Sequence, residues 1–259
     1  MCIRDRNVKA RLACELYYDI SPDYDSARWT EKLMPEVIIN GPDGRLECRY
    51  MPSEVPGSPT ALILHPEPDN GGTMNNRVTY SLYKHFQARG FAVLRFNFRG
   101  VGRSQGEYDN GEGELSDAAT AMDWLQAQNP ASSQCWIAGF SFGAWIGMQL
   151  MMRRPEICGF ISATPPALTH DFSFLAPCPA SGLIVHGEKD EQVPPDAIHK
   201  LVDRLSIQKG VTIDIDIVPG ANHFFTDHLD LMIERVGSYL CLLYTSDAAD
   251  DSLRVDLGG

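Results

Sequence analysis

The chain has 259 residues, 44% of them hydrophobic, and a formal charge of −12. That length suits one sizeable α/β domain or two small ones, and the acidity argues against a nucleic-acid partner, since little would neutralise phosphates. No apolar run approaches the roughly 20 residues that span a bilayer, and no hydrophobic secretory segment opens the chain, so neither a membrane partner nor export is expected.

The seven cysteines (Cys2, Cys14, Cys48, Cys135, Cys158, Cys178 and Cys241) are scattered, odd in number and free of any C-x-x-C pair. They read as small core hydrophobes of a protein in a reduced cytoplasm. Both ends look foreign to a domain. Residues 1–6 and 241–259 resemble translated adapter sequence, and Asn7 to Leu33 lacks clear periodicity. Met34, directly before a strand-like run, is the expected start of a domain that reaches Leu240. The alternative for residues 7–33 is a native N-terminal arm. Most of the acidic excess lies between these ends.

In chain order, Glu36 to Asn40 and Arg45 to Met51 read as strands of an antiparallel edge hairpin around the turn Gly41-Pro42-Asp43-Gly44. Thr60 to His65 is a continuous apolar run, as expected of a strand buried on both faces. After a long loop, Asn75 or Asn76 can cap a helix through about Arg89, with Val78, Leu82, Tyr83 and Phe86 at helical spacing. Phe91 to Phe96 is another buried strand, opening into the glycine-punctuated loop Asn97 to Ser104. Glu114 to Gln128 repeats the helical period. Cys135 to Ala138 then leads into Gly139-Phe140-Ser141-Phe142-Gly143 and a helix to Arg154. Strands at Gly159 to Ala163, Gly182 to His186 and Val211 to Val218 follow, with helices at Asp196 to Leu205 and His223 to Leu240. This alternation predicts an α/β fold with a mostly parallel sheet, helices on both faces and an antiparallel N-terminal edge. The segment from Ala163 to Gly182 is too short for a cap domain.

The glycine-flanked Ser141 has the geometry of a nucleophile elbow, where a tight strand-to-helix turn lifts a hydroxyl above the sheet. A serine needs a positioned base. His65 and His186 end buried strands, and His85 and His199 fall inside helices. His223 follows Pro219-Gly220-Ala221-Asn222 after the last strand, at the rim where such sheets bind ligands. It is the expected base, while His228 is expected to be solvated. The acid should come from His186-Gly187-Glu188-Lys189-Asp190-Glu191-Gln192-Val193-Pro194. Asp190 is favoured there, with Glu188 as the alternative.

The order Ser141, Asp190, His223 is that of α/β hydrolases. From about Met34 to Leu240 the chain resembles a small, capless member of that superfamily, similar to the bacterial branch near dienelactone hydrolases. The resemblance rests on His65-Pro66…Gly71-Gly72-Thr73-Met74, Asn97-Phe98-Arg99-Gly100-Val101-Gly102-Arg103-Ser104, the elbow, Gly187…Asp190…Val193-Pro194 and Asn222-His223. Dienelactone hydrolase itself carries a cysteine at the elbow. Ser141 therefore favours ordinary ester hydrolysis.

The resemblance implies an oxyanion hole built from backbone N–H groups, each worth about 3–4 kcal/mol in comparable sites. Phe142 supplies one. Pro66 has no N–H, so Glu67 is the first candidate for the other, with Gly72 and Thr73 as alternatives and Gly72, Thr73 and Met74 as a substrate-facing loop. The glycine pair serves a tight turn equally well. Arg99 and Arg103 are expected to pair with carboxylates rather than bind an acidic substrate. No G-x-G-x-x-G opens a helix, and no His/Cys/Asp cluster has metal-ligand spacing, so neither cofactor nor metal is expected.

The expected activity is hydrolysis of a small or short-acyl ester through an acyl-enzyme. A thioesterase or peptidase using the same residues, or a non-catalytic binding module on the same fold, are the alternatives. The expected partner is the small-molecule ester alone, and nothing in the chain bears on its oligomeric state.

Overall fold

The hairpin turn at residues 41–44 joins β1 (Glu36–Gly41) to β2 (Gly44–Met51), paired antiparallel with Glu36 opposite Arg49. The computed structural model describes residues 36–175, 177–206 and 210–241. The expected start at Met34, the N-terminal extension and the adapter-like tail beyond residue 241 lie outside the described residues. The unit Met34–Ile233 holds the whole sheet and every residue discussed below. A second unit, described only over residues 234–241, is helical there.

After the hairpin come β3 (Thr60–Leu64), α1 (Arg77–Ala88), β4 (Ala92–Phe96), α2 (Glu112–Gln128), β5 (Cys135–Phe140) and α3 (Phe142–Met151). They are followed by β6 (Ile157–Ala163), β7 (Ser181–Gly187), α4 (Pro195–Leu205) and β8 (Ile213–Val218). The eight strands form one sheet in the order β1-β2-β4-β3-β5-β6-β7-β8. β2 pairs antiparallel with β4, and every pairing from β4 to β8 is parallel. Chain order and spatial order agree except where β3 and β4 exchange places, which puts β3 beside β5. Leu64 then lies opposite Gly139, so the loops leaving the two strands emerge side by side.

The three central strands are apolar because helices cover both of their faces. Leu94 and Phe96 of β4 join a core cluster with Met122 and Leu125 of α2 and Ile146 of α3. Arg95, between them, points the other way and lies 4.8 Å from the ring centroids of both Tyr80 and Tyr83 of α1. Helix α1 thus covers the opposite face. Its start is set by Asn76, whose side chain accepts the Val78 N–H at 3.0 Å. Each fully buried Leu, Ile or Phe of this core contributes about 1.5–3 kcal/mol relative to exposure.

Two expected loops hold short 3-10 turns, Pro68–Asn70 and Ser173–Leu175. Between β6 and β7, Ser173–Leu175 is the one helical turn among the described residues, so no cap stands there. The final helix starts later than expected, at residue 229 rather than at His223. The Asn222 side chain accepts the N–H groups of Phe224 at 3.2 Å and Thr226 at 3.1 Å, which holds this stretch as a turn.

Candidate active site

β5 ends at Phe140 and α3 begins at Phe142, leaving Ser141 alone at the turn. Its backbone sits at φ 53° and ψ −117°, a region that costs a non-glycine residue about 1–3 kcal/mol. Neighbours hold it there. The Ser141 N–H donates to the Ala163 carbonyl at 2.9 Å, and its own carbonyl accepts from Ala144 at 2.9 Å and Trp145 at 3.3 Å. The flanking glycines are steric necessities. A Cβ on Gly139 would overlap the Gly143 carbonyl group, and one on Gly143 would lie 2.5 Å from the carbonyl oxygens of Leu64 and His65. Helix α3 therefore starts in backbone contact with the end of β3.

From the far side of the sheet, the turn after β8 brings His223 to this serine. His223 Nε2 lies 3.3 Å from Ser141 Oγ, and Nδ1 lies 2.7 Å from Asp190 Oδ2. The carboxylate accepts the Nδ1–H, which leaves the Nε2 lone pair directed at the hydroxyl. Asp190 Oδ1 accepts the N–H groups of Gln192 at 2.8 Å and Val193 at 2.9 Å. Burial alone would raise the pKa of Asp190. The His223 and Val193 hydrogen bonds and the nearby imidazoles outweigh it and hold the carboxyl below its ordinary range. The alternative acid, Glu188, is turned elsewhere and accepts the Gly220 N–H at 2.8 Å. His228 sits beside the Gly220 turn. Ser141, His223 and Asp190 are the three brought together.

The oxyanion candidates divide. The N–H groups of Phe142 and Glu67 have no hydrogen-bond partner among the described residues. Thr73 likewise keeps its N–H, and its Oγ1 accepts from Asn75 at 3.2 Å. Gly72 is corrected as a donor, because its N–H is engaged by the Glu67 carbonyl at 2.9 Å. A Cβ there would collide with the Pro66 and Glu67 carbonyls, so this glycine serves the turn. Met74 is corrected as a substrate-loop residue. Its side chain is buried, its N–H donates to Asn97 Oδ1 at 2.8 Å, and its carbonyl accepts from Arg95 at 2.6 Å.

Buried histidines brace this rim. His65 Nδ1–H donates to the Pro66 carbonyl at 2.7 Å, and Nε2 accepts the Phe98 N–H at 3.0 Å, tying together the loops after β3 and β4. Burial drives its pKa down to about 4, so it is a neutral structural link. Arg99 pairs with Asp117 through Nε and Nη2 at 3.0 and 2.8 Å, and Arg103 meets Glu36. Both arginines thus fasten the loop to neighbouring carboxylates, as expected. Cys48 and Cys135 are buried free thiols pushed up to about 12 and about 11 by desolvation. Among the described residues no group of three or more His, Cys, Asp or Glu is placed to hold a metal ion. No helix among them is long and apolar enough to cross a membrane.

Two features escaped the sequence reading. His186, fully buried behind Asp190, donates through Nε2 to the Val193 carbonyl at 2.7 Å. Its place at the end of a strand, just before the acid's loop, was the available signal. Tyr108, Trp145 and His170 gather over Phe142, from three segments whose spacing in the chain carries no common pattern.

A family model described as X-Pro dipeptidyl-peptidase (S15 family) matches residues 45–173, and one for the prolyl oligopeptidase family matches residues 170–236. An uncharacterized protein of Rickettsia prowazekii is 49% identical over 217 residues, covering 82% of this chain and 91% of that one. A solved structure from Agrobacterium tumefaciens, described provisionally as an α/β hydrolase, is 55% identical with a TM-score of 0.78, covering 84% and 97% of the two chains. An α/β serine hydrolase without a lid from Xanthomonas campestris is 32% identical with a TM-score of 0.71, covering 78% and 91%. The lysophosphatidylserine lipase of Rattus norvegicus is 26% identical over 220 residues, which are 68% of this chain and 53% of the lipase. The chain thus spans about half the length of that lipase. None of these descriptions names the dienelactone hydrolase branch.

Proposed function

The chain belongs to the α/β serine hydrolases, and on that premise we propose that it cleaves small or short-acyl carboxylic esters through an acyl-enzyme. The observation that carries the reading is the hydrogen-bonded line from Asp190 Oδ2 through His223 to Ser141 Oγ. In the first half-reaction His223 Nε2 takes the hydroxyl proton as Ser141 Oγ attacks the ester carbonyl carbon. Asp190 keeps the imidazole oriented and stabilises the imidazolium. The N–H groups of Phe142 and Glu67 receive the oxyanion; each such donor is worth about 3–4 kcal/mol. Collapse of the tetrahedral adduct breaks the ester C–O bond, and the leaving oxygen takes the proton from His223. A water then gives a proton to His223 as it attacks the acyl carbon. The bond from that carbon to Ser141 Oγ breaks, Oγ takes the proton back from His223, and the carboxylic acid leaves.

The absence of a cap between β6 and β7 among the described residues supports small, freely diffusing esters. The acidic Glu67 and Asp69 at the mouth disfavour anionic substrates. The rat relative is a lipase, which also acts on a carboxylic ester. A second reading, a peptidase using the same three residues, is favoured by the two peptidase family models. Fluorophosphonate labelling tests the nucleophile, with Ser141→Ala and His223→Ala expected to abolish it. A folded protein that is never labelled would instead be a binding module. A panel of p-nitrophenyl acetate, an acyl thioester and an X-Pro p-nitroanilide then separates the reactions. Faster turnover of the anilide would overturn the esterase reading.

A further inference from the structure

Ser141 stands between two separate groups of rings. On one side Phe140 lies 5.5 Å from the His223 ring centroid and 6.2 Å from Phe224, which itself lies 5.1 Å from His223. On the other, Phe142 is the hub of a second group, with Tyr108 at 6.1 Å, Trp145 at 5.7 Å and His170 at 6.0 Å, and Trp145 and His170 in contact at 4.5 Å. Phe142 is buried, while Tyr108, Trp145 and His170 are each partly exposed. The three therefore present ring surface to solvent around a residue whose N–H faces the reacting carbonyl in the proposed mechanism.

This second group is built rather than incidental. The Trp145 indole N–H donates to the Asp171 carbonyl at 2.9 Å, fixing the ring. The same ring lies where a Cβ on Gly111 would be, so only glycine admits it. Burial holds His170 below the ordinary histidine range, so its ring is uncharged at neutral pH. Trp145 follows Ser141 by four residues, its backbone N–H donating to the Ser141 carbonyl at 3.3 Å, and its ring packs on Phe142, the residue directly after Ser141.

The division of labour follows from the chemistry. The leaving oxygen must be protonated by His223, so the alcohol part of an ester lies toward the His223–Phe224 group. The group that lacks the base is left for the acyl part. We propose that Tyr108, Trp145 and His170 form an acyl-binding wall that selects uncharged aromatic acyl groups, making aryl-carboxylic esters the preferred substrate class. Flat rings gain from offset and edge-to-face stacking beyond simple area burial. A carboxylate on the aromatic ring is disfavoured, because the negative charges of Glu67, Glu114 and Asp69 already act on the Tyr108 hydroxyl. The proposal rests on the esterase reading above.

The test uses the full chain and three esters sharing one leaving group: p-nitrophenyl acetate, p-nitrophenyl benzoate and p-nitrophenyl 4-carboxybenzoate. The wild-type protein is expected to favour benzoate over acetate in kcat/KM at least tenfold, after correction for intrinsic reactivity, and to disfavour the carboxylated ring. His170→Ala and Trp145→Leu are expected to reduce the benzoate-to-acetate ratio at least fivefold, chiefly through KM, and Trp145→Phe to restore much of it. If Trp145→Leu fails to fold, His170→Ala, on a partly exposed loop, still decides the matter. Active wild-type protein with no benzoate preference, or variants that leave the ratio unchanged, would overturn the acyl wall while leaving the esterase reading intact. A protein that neither hydrolyses acetate nor takes the fluorophosphonate label would overturn both.

Discussion

His186 and Val193 are joined by a hydrogen bond of 2.7 Å from Nε2–H to the Val193 carbonyl, while the Val193 N–H donates to Asp190 Oδ1 at 2.9 Å. The two bonds clamp the turn that carries Asp190 from opposite sides of one peptide residue. His186 Nε2 also lies 3.6 Å from Asp190 Oδ2. The aspartate is thus positioned by a buried histidine that hydrogen-bonds to the turn rather than to Ser141 or His223.

Replacing His186 by Phe keeps the ring volume and removes the donor, leaving a buried carbonyl unpaired at a cost of about 1–3 kcal/mol. The expected result is a lower urea midpoint together with a roughly tenfold slower fluorophosphonate labelling of Ser141, from loss of precise orientation. Unaltered labelling kinetics in a destabilised variant would confine His186 to a purely structural role.

Asp190→Asn presents the wrong partner to His223 Nδ1 and permits the tautomer whose Nε2 bears the proton. In comparable triads this lowers kcat about 10⁴-fold, and a similar drop is expected on p-nitrophenyl acetate. The same variant reports on acid stability. The folded carboxyl titrates below its ordinary value of 3.8, so its contribution is full above that pH and fades as pH falls through the folded value. Wild-type Tm should therefore drop more steeply than that of Asp190→Asn between pH 4 and pH 2.5.

Ser141→Gly and Ser141→Ala both remove the hydroxyl, and only glycine relaxes the positive φ of 53°. Both are expected to be unlabelled and to lose roughly 10⁴–10⁶-fold in kcat. In urea denaturation the glycine variant should be the more stable by about 1 kcal/mol. The reverse order would mean that the elbow is not strained.

His65 is fully buried and titrates at about 4 against an ordinary 6.5. Between those values the unfolded chain binds the proton more readily, so the stability from neutral His65 is complete above pH 6.5 and is lost as pH falls toward 4. That shift corresponds to about 3 kcal/mol. Urea melts of wild type and His65→Gln at pH 7, 5.5 and 4.5 should show the wild-type advantage shrinking by an amount of this order. The contributions of His85 and His186 are common to both proteins and cancel in the difference.

Much of this site was legible in the chain because its determinants are local. The glycines at 139 and 143 answer to contacts within a few ångströms of the elbow, and the apolar runs of β3, β4 and β5 follow from burial on both faces. The pairing of Arg99 and Arg103 with carboxylates was anticipated as well, though the identities of Asp117 and Glu36 as partners were not. The loop after β3 was legible only in part. Gly72, Thr73 and Met74 were expected to face the substrate, with a tight turn as the equal alternative for the glycine pair. The N–H groups of Gly72 and Met74 are engaged by Glu67 and by Asn97, and Asn97 lies 23 residues beyond Met74. The late start of the last helix turned on the Asn222 side chain, a competitor to helical hydrogen bonds that apolar periodicity does not register.

By itself, then, the sequence determined the alternating strands and helices, the tight turn at Ser141 and the candidates for a base and an acid beside it, since each follows from sterics or from position at a strand end. Tertiary structure alone decided that Asp190 rather than Glu188 faces His223, that His186 backs the acid, and that Tyr108, Trp145 and His170 meet over Phe142. Those choices depend on where the loops after β4, β6, β7 and β8 come to rest. Their positions are set by the exchange of β3 and β4 in the sheet and by side-chain packing between segments as many as 82 residues apart, as Ser141 and His223 are.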